Sequence, residues 1–123
     1  NCMAVISYAV DVLRVKHLIV CGHYGCGGVR AALEGTAAGV VADWLAPLRK
    51  IARDNAGTLD PLPLEERWAK LCEINVCEQV RSLVGSSPVQ KAWSAGQELT
   101  VHGWIYDLHD GLLRDMDATV HGP

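Results

Sequence analysis

One stretch constrains this chain more than any other: His17-Leu18-Ile19-Val20-Cys21-Gly22-His23-Tyr24-Gly25-Cys26-Gly27-Gly28-Val29-Arg30-Ala31-Ala32-Leu33. A short β-branched run, Leu18 to Val20, passes into a loop bearing Gly22, Gly25, Gly27 and Gly28, and then into an alanine-rich segment of helical character. A strand that enters a helix through a tight glycine turn predicts an α/β fold, here a mainly parallel β-sheet flanked by helices. It also puts one imidazole and one thiol at the carboxyl end of a strand, where such folds keep their chemistry.

His23 and Cys26 are the donors that a borderline-soft cation such as Zn²⁺ prefers, and they can converge on one ion if the backbone between them turns sharply. Gly25 supplies that turn. Gly27 and Gly28 allow close backbone approach, and their N–H groups join the first free donors of the following helix. The helix N-terminus beside Cys26 favours the thiolate that metal binding requires. Zinc takes four ligands, or three and a water, so this pair is either half of a metal site or an incidental His and Cys in a glycine turn. The glycine spacing fits neither the dinucleotide fingerprint nor a phosphate-binding loop, since no Lys-Ser or Lys-Thr follows.

At 123 residues, 50% hydrophobic and 20% charged, the chain is read as one α/β domain over 1–123 with a real core. A net charge of −3 gives no basic footprint for nucleic acid or an anionic membrane, and no apolar run approaches the ~20 residues that span a bilayer. The cysteines, Cys2, Cys21, Cys26, Cys72 and Cys77, are odd in number and apolar in context, which points to free thiols in a reducing cytosol. Cys2 and Cys21 are expected to be buried structural thiols.

Along the chain, Met3, Ile6, Val10 and Leu13 predict a helix over 2–14, and Val15 to Val20 a strand covered on both faces. A helix over 28–33 stops at Gly35. A second, over 40–54, carries Val41, Trp44, Leu45, Leu48, Ile51 and Ala52 on its apolar side, a kink or late start at Pro47, and a solvated basic face of Arg49, Lys50 and Arg53. Residues 55–63 read as a loop and 64–83 as the longest helix, with Trp68, Leu71, Cys72, Asn75, Val76, Gln79, Val80 and Leu83 recurring every three or four positions. Ser87 is expected to cap a short helix ending at Gly96, and 98–107 to form a strand in the same sheet as the first. His102 in that strand is read as a hydrogen-bonded core residue rather than a third ligand. Asp110-Gly111 marks a turn, and His109 and His121 are expected at the surface.

The run Ile19-Val20-Cys21-Gly22-His23-Tyr24-Gly25-Cys26-Gly27-Gly28-Val29 resembles the zinc-binding loop of β-class carbonic anhydrases, Gly-His-x-x-Cys-Gly-Gly after a buried strand. The likeness extends to Asn1 to Val10 before it, and to His102-Gly103-Trp104-Ile105-Tyr106 and Asp110 to Asp115 after it. The resemblance implies that His23 and Cys26 are two zinc ligands, with Gly27 and Gly28 supporting the loop and the substrate through their backbone. It also implies a possible role for Tyr106, since some members of the family bind inhibitory bicarbonate with a tyrosine in this strand. The family's other two ligands lie in a Cys-x-Asp-x-Arg motif that this sequence lacks, so two of four ligands are present. On this analogy the chain is shortened at the N-terminus and at the C-terminus.

The implied activity is zinc-dependent, reversible hydration of carbon dioxide to bicarbonate, in a cytoplasmic homodimer or higher homo-oligomer with no nucleic-acid or membrane partner. Two alternatives stand beside it. One is the same fold hydrolysing carbonyl sulfide or carbon disulfide; the other is an inactive assembly module without a full metal site.

Overall fold

A computed structural model describes residues 1–123. The elements run α1 (Cys2–Ser7), a π-helical turn (Tyr8–Val12), β1 (His17–His23), α2 (Gly27–Glu34), α3 (Gly39–Asp54), α4 (Ala56–Leu59), α5 (Leu64–Val84), α6 (Ser87–Ser94), β2 (Thr100–Asp107), β3 (Leu112–Asp115) and β4 (Val120–His121). This is an α/β fold whose four-stranded sheet is mixed: β1 lies parallel to the central β2, while β3 and β4 both run antiparallel to it. The Asp110-Gly111 turn closes the β2–β3 hairpin. No helix is long and apolar enough to cross a membrane.

One face of the sheet holds the core. Val101 and Ile105 are fully buried there, beneath Leu71, Val76 and Val80 of α5. Glycine is what lets α5 approach so closely, because a Cβ at Gly22 would collide with Val76 Cγ2 and one at Gly103 with Val80 Cγ2. Around α5, Val29, Ala32, Leu45 and Leu48 pack at one end, and Val10, Val89 and Ala92 at the other.

The opposite face differs from the expectation of a strand covered on both sides. Along β1 exposure alternates, so His17, Ile19, Cys21 and His23 point outward while Leu18, Val20 and Gly22 turn toward α5. Cys21 is therefore an exposed thiol and not a buried one. Cys2 is exposed too, because α1 buries none of its residues fully: Ile6 packs part-buried against the core, and only Val10, in the π-turn beyond, is wholly buried. The expected stripe on α3 is likewise narrower than read: Leu45 and Leu48 are buried, whereas Val41 and Trp44 stand in the open.

Smaller departures follow local chemistry. Residues 56–59 make a helical turn inside the segment read as loop, and Ser86 rather than Ser87 holds the N-cap position of α6, its hydroxyl donating to the Leu83 carbonyl instead of capping the helix. The N-terminal helical stretch stops where expected, at Arg14, which adopts a left-handed φ of 52°. Gly35 ends α2 in the same conformation. All five thiols are free.

Candidate metal-binding loop

The loop grows directly out of the sheet. The Tyr24 N–H donates to the Tyr106 carbonyl at 3.0 Å, extending the β1–β2 ladder one residue past His23. Gly25 then turns with φ +68° and nothing within 4 Å of where a Cβ would sit. Cys26 returns to an extended conformation and becomes the N-cap of α2. Its side chain makes no capping bond, so the sulfur is not engaged by the helix it begins.

His23 is exposed, and its Nδ1 lies 2.8 Å from the Tyr24 carbonyl oxygen. A carbonyl can only accept, so Nδ1 carries a proton, and in the neutral ring Nε2 keeps its lone pair. That is the arrangement of a metal-binding imidazole, whose second nitrogen is steadied by a backbone carbonyl. The donor set thus fits Zn²⁺ in type: one imidazole and one unengaged sulfur on a hinged turn. It does not fit in number, since no group of three or more His, Cys, Asp or Glu residues could hold a metal ion.

Tyr106 pairs with His23 in the β1–β2 register. Together with Cys21, Gly22 and Leu108 they line an open hollow of about 390 Å³. Gly27 is exposed and faces open space, while a Cβ on Gly28 would rest 3.8 Å from Cys26 Sγ in ordinary contact. Space therefore does not demand glycine at either position. Their N–H groups precede the first intrahelical bond, which runs from Arg30 N–H to the Cys26 carbonyl. His102 sits apart from the loop, its Nε2 3.1 Å from His17 Nδ1, so it is hydrogen-bonded as expected but half-buried on the open face rather than in the core.

Two residues that touch the loop stand out only in the structure. The Trp68 indole N–H donates to the Cys26 carbonyl at 2.9 Å, and the Arg30 guanidinium lies over the indole ring at 4.9 Å. The Tyr24 hydroxyl donates to Glu73 Oε1 at 2.6 Å, and Lys70 pairs with the other carboxylate oxygen at 3.0 Å. Burial, and then the bond to Glu73, push the Tyr24 hydroxyl up to about 12, so it stays a donor at any ordinary pH. Beneath them Cys72 is buried, and burial raises its thiol, with the Cys26 backbone working the other way. Trp68 belongs to the apolar stripe read from the sequence, but periodicity says nothing of an indole N–H that reaches a carbonyl 42 residues away.

The family profile described as carbonic anhydrase matches residues 1–113. The chain belongs to the β-class carbonic anhydrases. A carbonic anhydrase of Emericella nidulans is 43% identical over 121 residues, which cover 98% of this chain and 53% of that protein. The Coccomyxa β-carbonic anhydrase, solved in complex with acetazolamide, superposes with a TM-score of 0.94 at 40% identity, covering 99% of this chain and 56% of that one. A tetrameric β-carbonic anhydrase of Sordaria macrospora gives 0.91 at 34% identity, over 98% and 61%. The chain thus spans about half the length of the curated carbonic anhydrases it matches.

Proposed function

We propose that the complete protein catalyses the reversible hydration of carbon dioxide to bicarbonate, with Zn²⁺ held by Nε2 of His23 and Sγ of Cys26 and by further ligands from outside the residues described. The observation that carries the reading is the hydrogen bond from His23 Nδ1 to the Tyr24 carbonyl, which assigns the proton of the neutral ring to Nδ1 and leaves Nε2 as its lone-pair donor. Membership of a family whose members are named carbonic anhydrases supports the reaction. When bound, Zn²⁺ supplies a water acidic enough to lose its proton near neutral pH. The chain's own residues would do the rest. His23 and Cys26 orient the ion, Gly25 sets their spacing, and the backbone N–H groups of Gly27 and Gly28 offer donors to an anionic product. Tyr106, which shares the hollow with His23, is the residue of this segment best placed to contact bicarbonate outside the metal.

A relative described as tetrameric supports assembly into a homo-oligomer, as do the exposed Val40, Val41 and Trp44 on α3. The test is metal content and carbon dioxide hydration of the complete protein, followed by stopped flow with a pH indicator. About one zinc per chain is expected, with His23→Ala and Cys26→Ala each losing both zinc and at least about 10²-fold in rate. Activity confined to carbonyl sulfide or carbon disulfide would reassign the substrate, and full-length protein without metal would make the fold an assembly module.

A further inference from the structure

The two residues that flank the Gly25 hinge are both tied to one helix. The Cys26 carbonyl receives the Trp68 indole N–H, and the Tyr24 hydroxyl reaches Glu73. Trp68 and Glu73 lie five residues apart on α5, so one helix holds the loop on both sides of its hinge. A Cβ at Gly25 would meet nothing within 4 Å, so no packing on that side holds the hinge. Left alone, a glycine in open space would let the imidazole on one side and the sulfur on the other drift independently.

Both anchors are themselves braced. The indole lies under the Arg30 guanidinium, which also bonds Glu34, and Glu73 is held by Lys70. None of these bonds requires a metal to be present.

We propose that Trp68 and Glu73 are positioning residues for the metal-binding loop, fixing the spacing of His23 and Cys26 before any ion arrives, Trp68 through the Cys26 carbonyl and Glu73 through the Tyr24 hydroxyl. The proposal rests on the reading of His23 and Cys26 as ligands. Its physical content is preorganisation: a site held in its bound geometry loses less freedom on binding and so binds more tightly. Outer partners of metal ligands are typically worth 10- to 100-fold in affinity.

The experiment measures Co²⁺ affinity of the complete protein by chelator competition, with the thiolate-to-cobalt absorption band as the second readout. Trp68→Phe keeps an aromatic side chain but loses the N–H donor together with part of the indole's packing; Tyr24→Phe loses only the hydroxyl and is the cleaner of the two. Each is expected to weaken Co²⁺ binding about 10-fold and to shift or weaken the band. Glu73→Gln, whose amide oxygen still accepts from Tyr24, is expected to stay near wild type, while Glu73→Leu matches Tyr24→Phe. Thermal unfolding of each variant is the control, and affinity lost at an unchanged midpoint reads as lost positioning rather than lost fold. Wild-type affinity and spectrum in Trp68→Phe and Tyr24→Phe, with binding still abolished by His23→Ala, would overturn the proposal alone. Co²⁺ binding indifferent to His23→Ala would overturn the metal reading and the proposal with it.

Discussion

The two faces of the sheet are built from alternate residues of the same strands, yet they do opposite work. Toward α5 point Leu18, Val20 and Gly22 of β1 and Val101, Gly103 and Ile105 of β2, packed so closely that two positions tolerate no Cβ. Away from α5 point His17, Ile19, Cys21 and His23, beside the half-buried His102, Trp104 and Tyr106. The first face supplies cohesion, and the second supplies rings, a thiol and an imidazole within reach of solvent. They meet at the strand ends, where the candidate metal-binding loop leaves the open face and is tied down by the helix that covers the other.

The widest gap between the faces is expected from truncating one isoleucine on each. Ile105→Ala, at a fully buried position, should destabilise the fold by about 2–5 kcal/mol, whereas Ile19→Ala, 49% exposed, should change it by less than about 1 kcal/mol. Urea unfolding of the two variants measures the contrast, and equal losses would mean that the open face is covered in solution. Next comes the close approach of α5. Gly22→Ala sets a methyl against Val76 and should cost about 1–3 kcal/mol, while adding Val76→Ala in that background should recover part of the loss through a favourable coupling. Simple additivity of the two changes would show that α5 moves away instead.

The smallest effect sits at the far end of β2. The His109 backbone N–H and ring hold the Asp107 carboxyl below its ordinary value, with Arg114 adding its charge. A carboxylate depressed on folding contributes stability that is complete above its unfolded value, about 3.9, and is lost as pH falls through the folded one. The β2–β3 turn should therefore be intact at pH 5 and loosen below about pH 4. Amide exchange at Leu112 and Leu113 reads this directly, and Asp107→Asn should remove the pH dependence.

The loop itself was legible because its information is local. His23, Gly25 and Cys26 lie within four positions, and the hinge, the helix start and the Gly35 stop all follow from residue type. The exposure of Cys21 was not legible, since Leu18-Ile19-Val20 reads the same whether one face of a strand is covered or two. Trp44 misleads in a similar way: helical spacing names a stripe, but how much of it finds a partner depends on where the neighbouring elements stop. The bonds from Trp68 and Tyr24 join points 42 and 49 residues apart, and no periodicity carries that information. The pairing of Tyr106 with His23 likewise belongs to the alignment of two strands far apart in sequence.

That alignment has its own safeguard. Sliding β2 by a single step would exchange Val101, Gly103 and Ile105 for His102, Trp104 and Tyr106 beneath α5, forcing three polar or bulky rings into space shaped for glycine and two aliphatic side chains. The penalty for such a slip falls on the core, not on the hollow beside His23. Tight packing on one side of the sheet thereby proofreads the composition of the other, and a tyrosine stays next to the imidazole without any direct bond between their side chains being needed to keep it there.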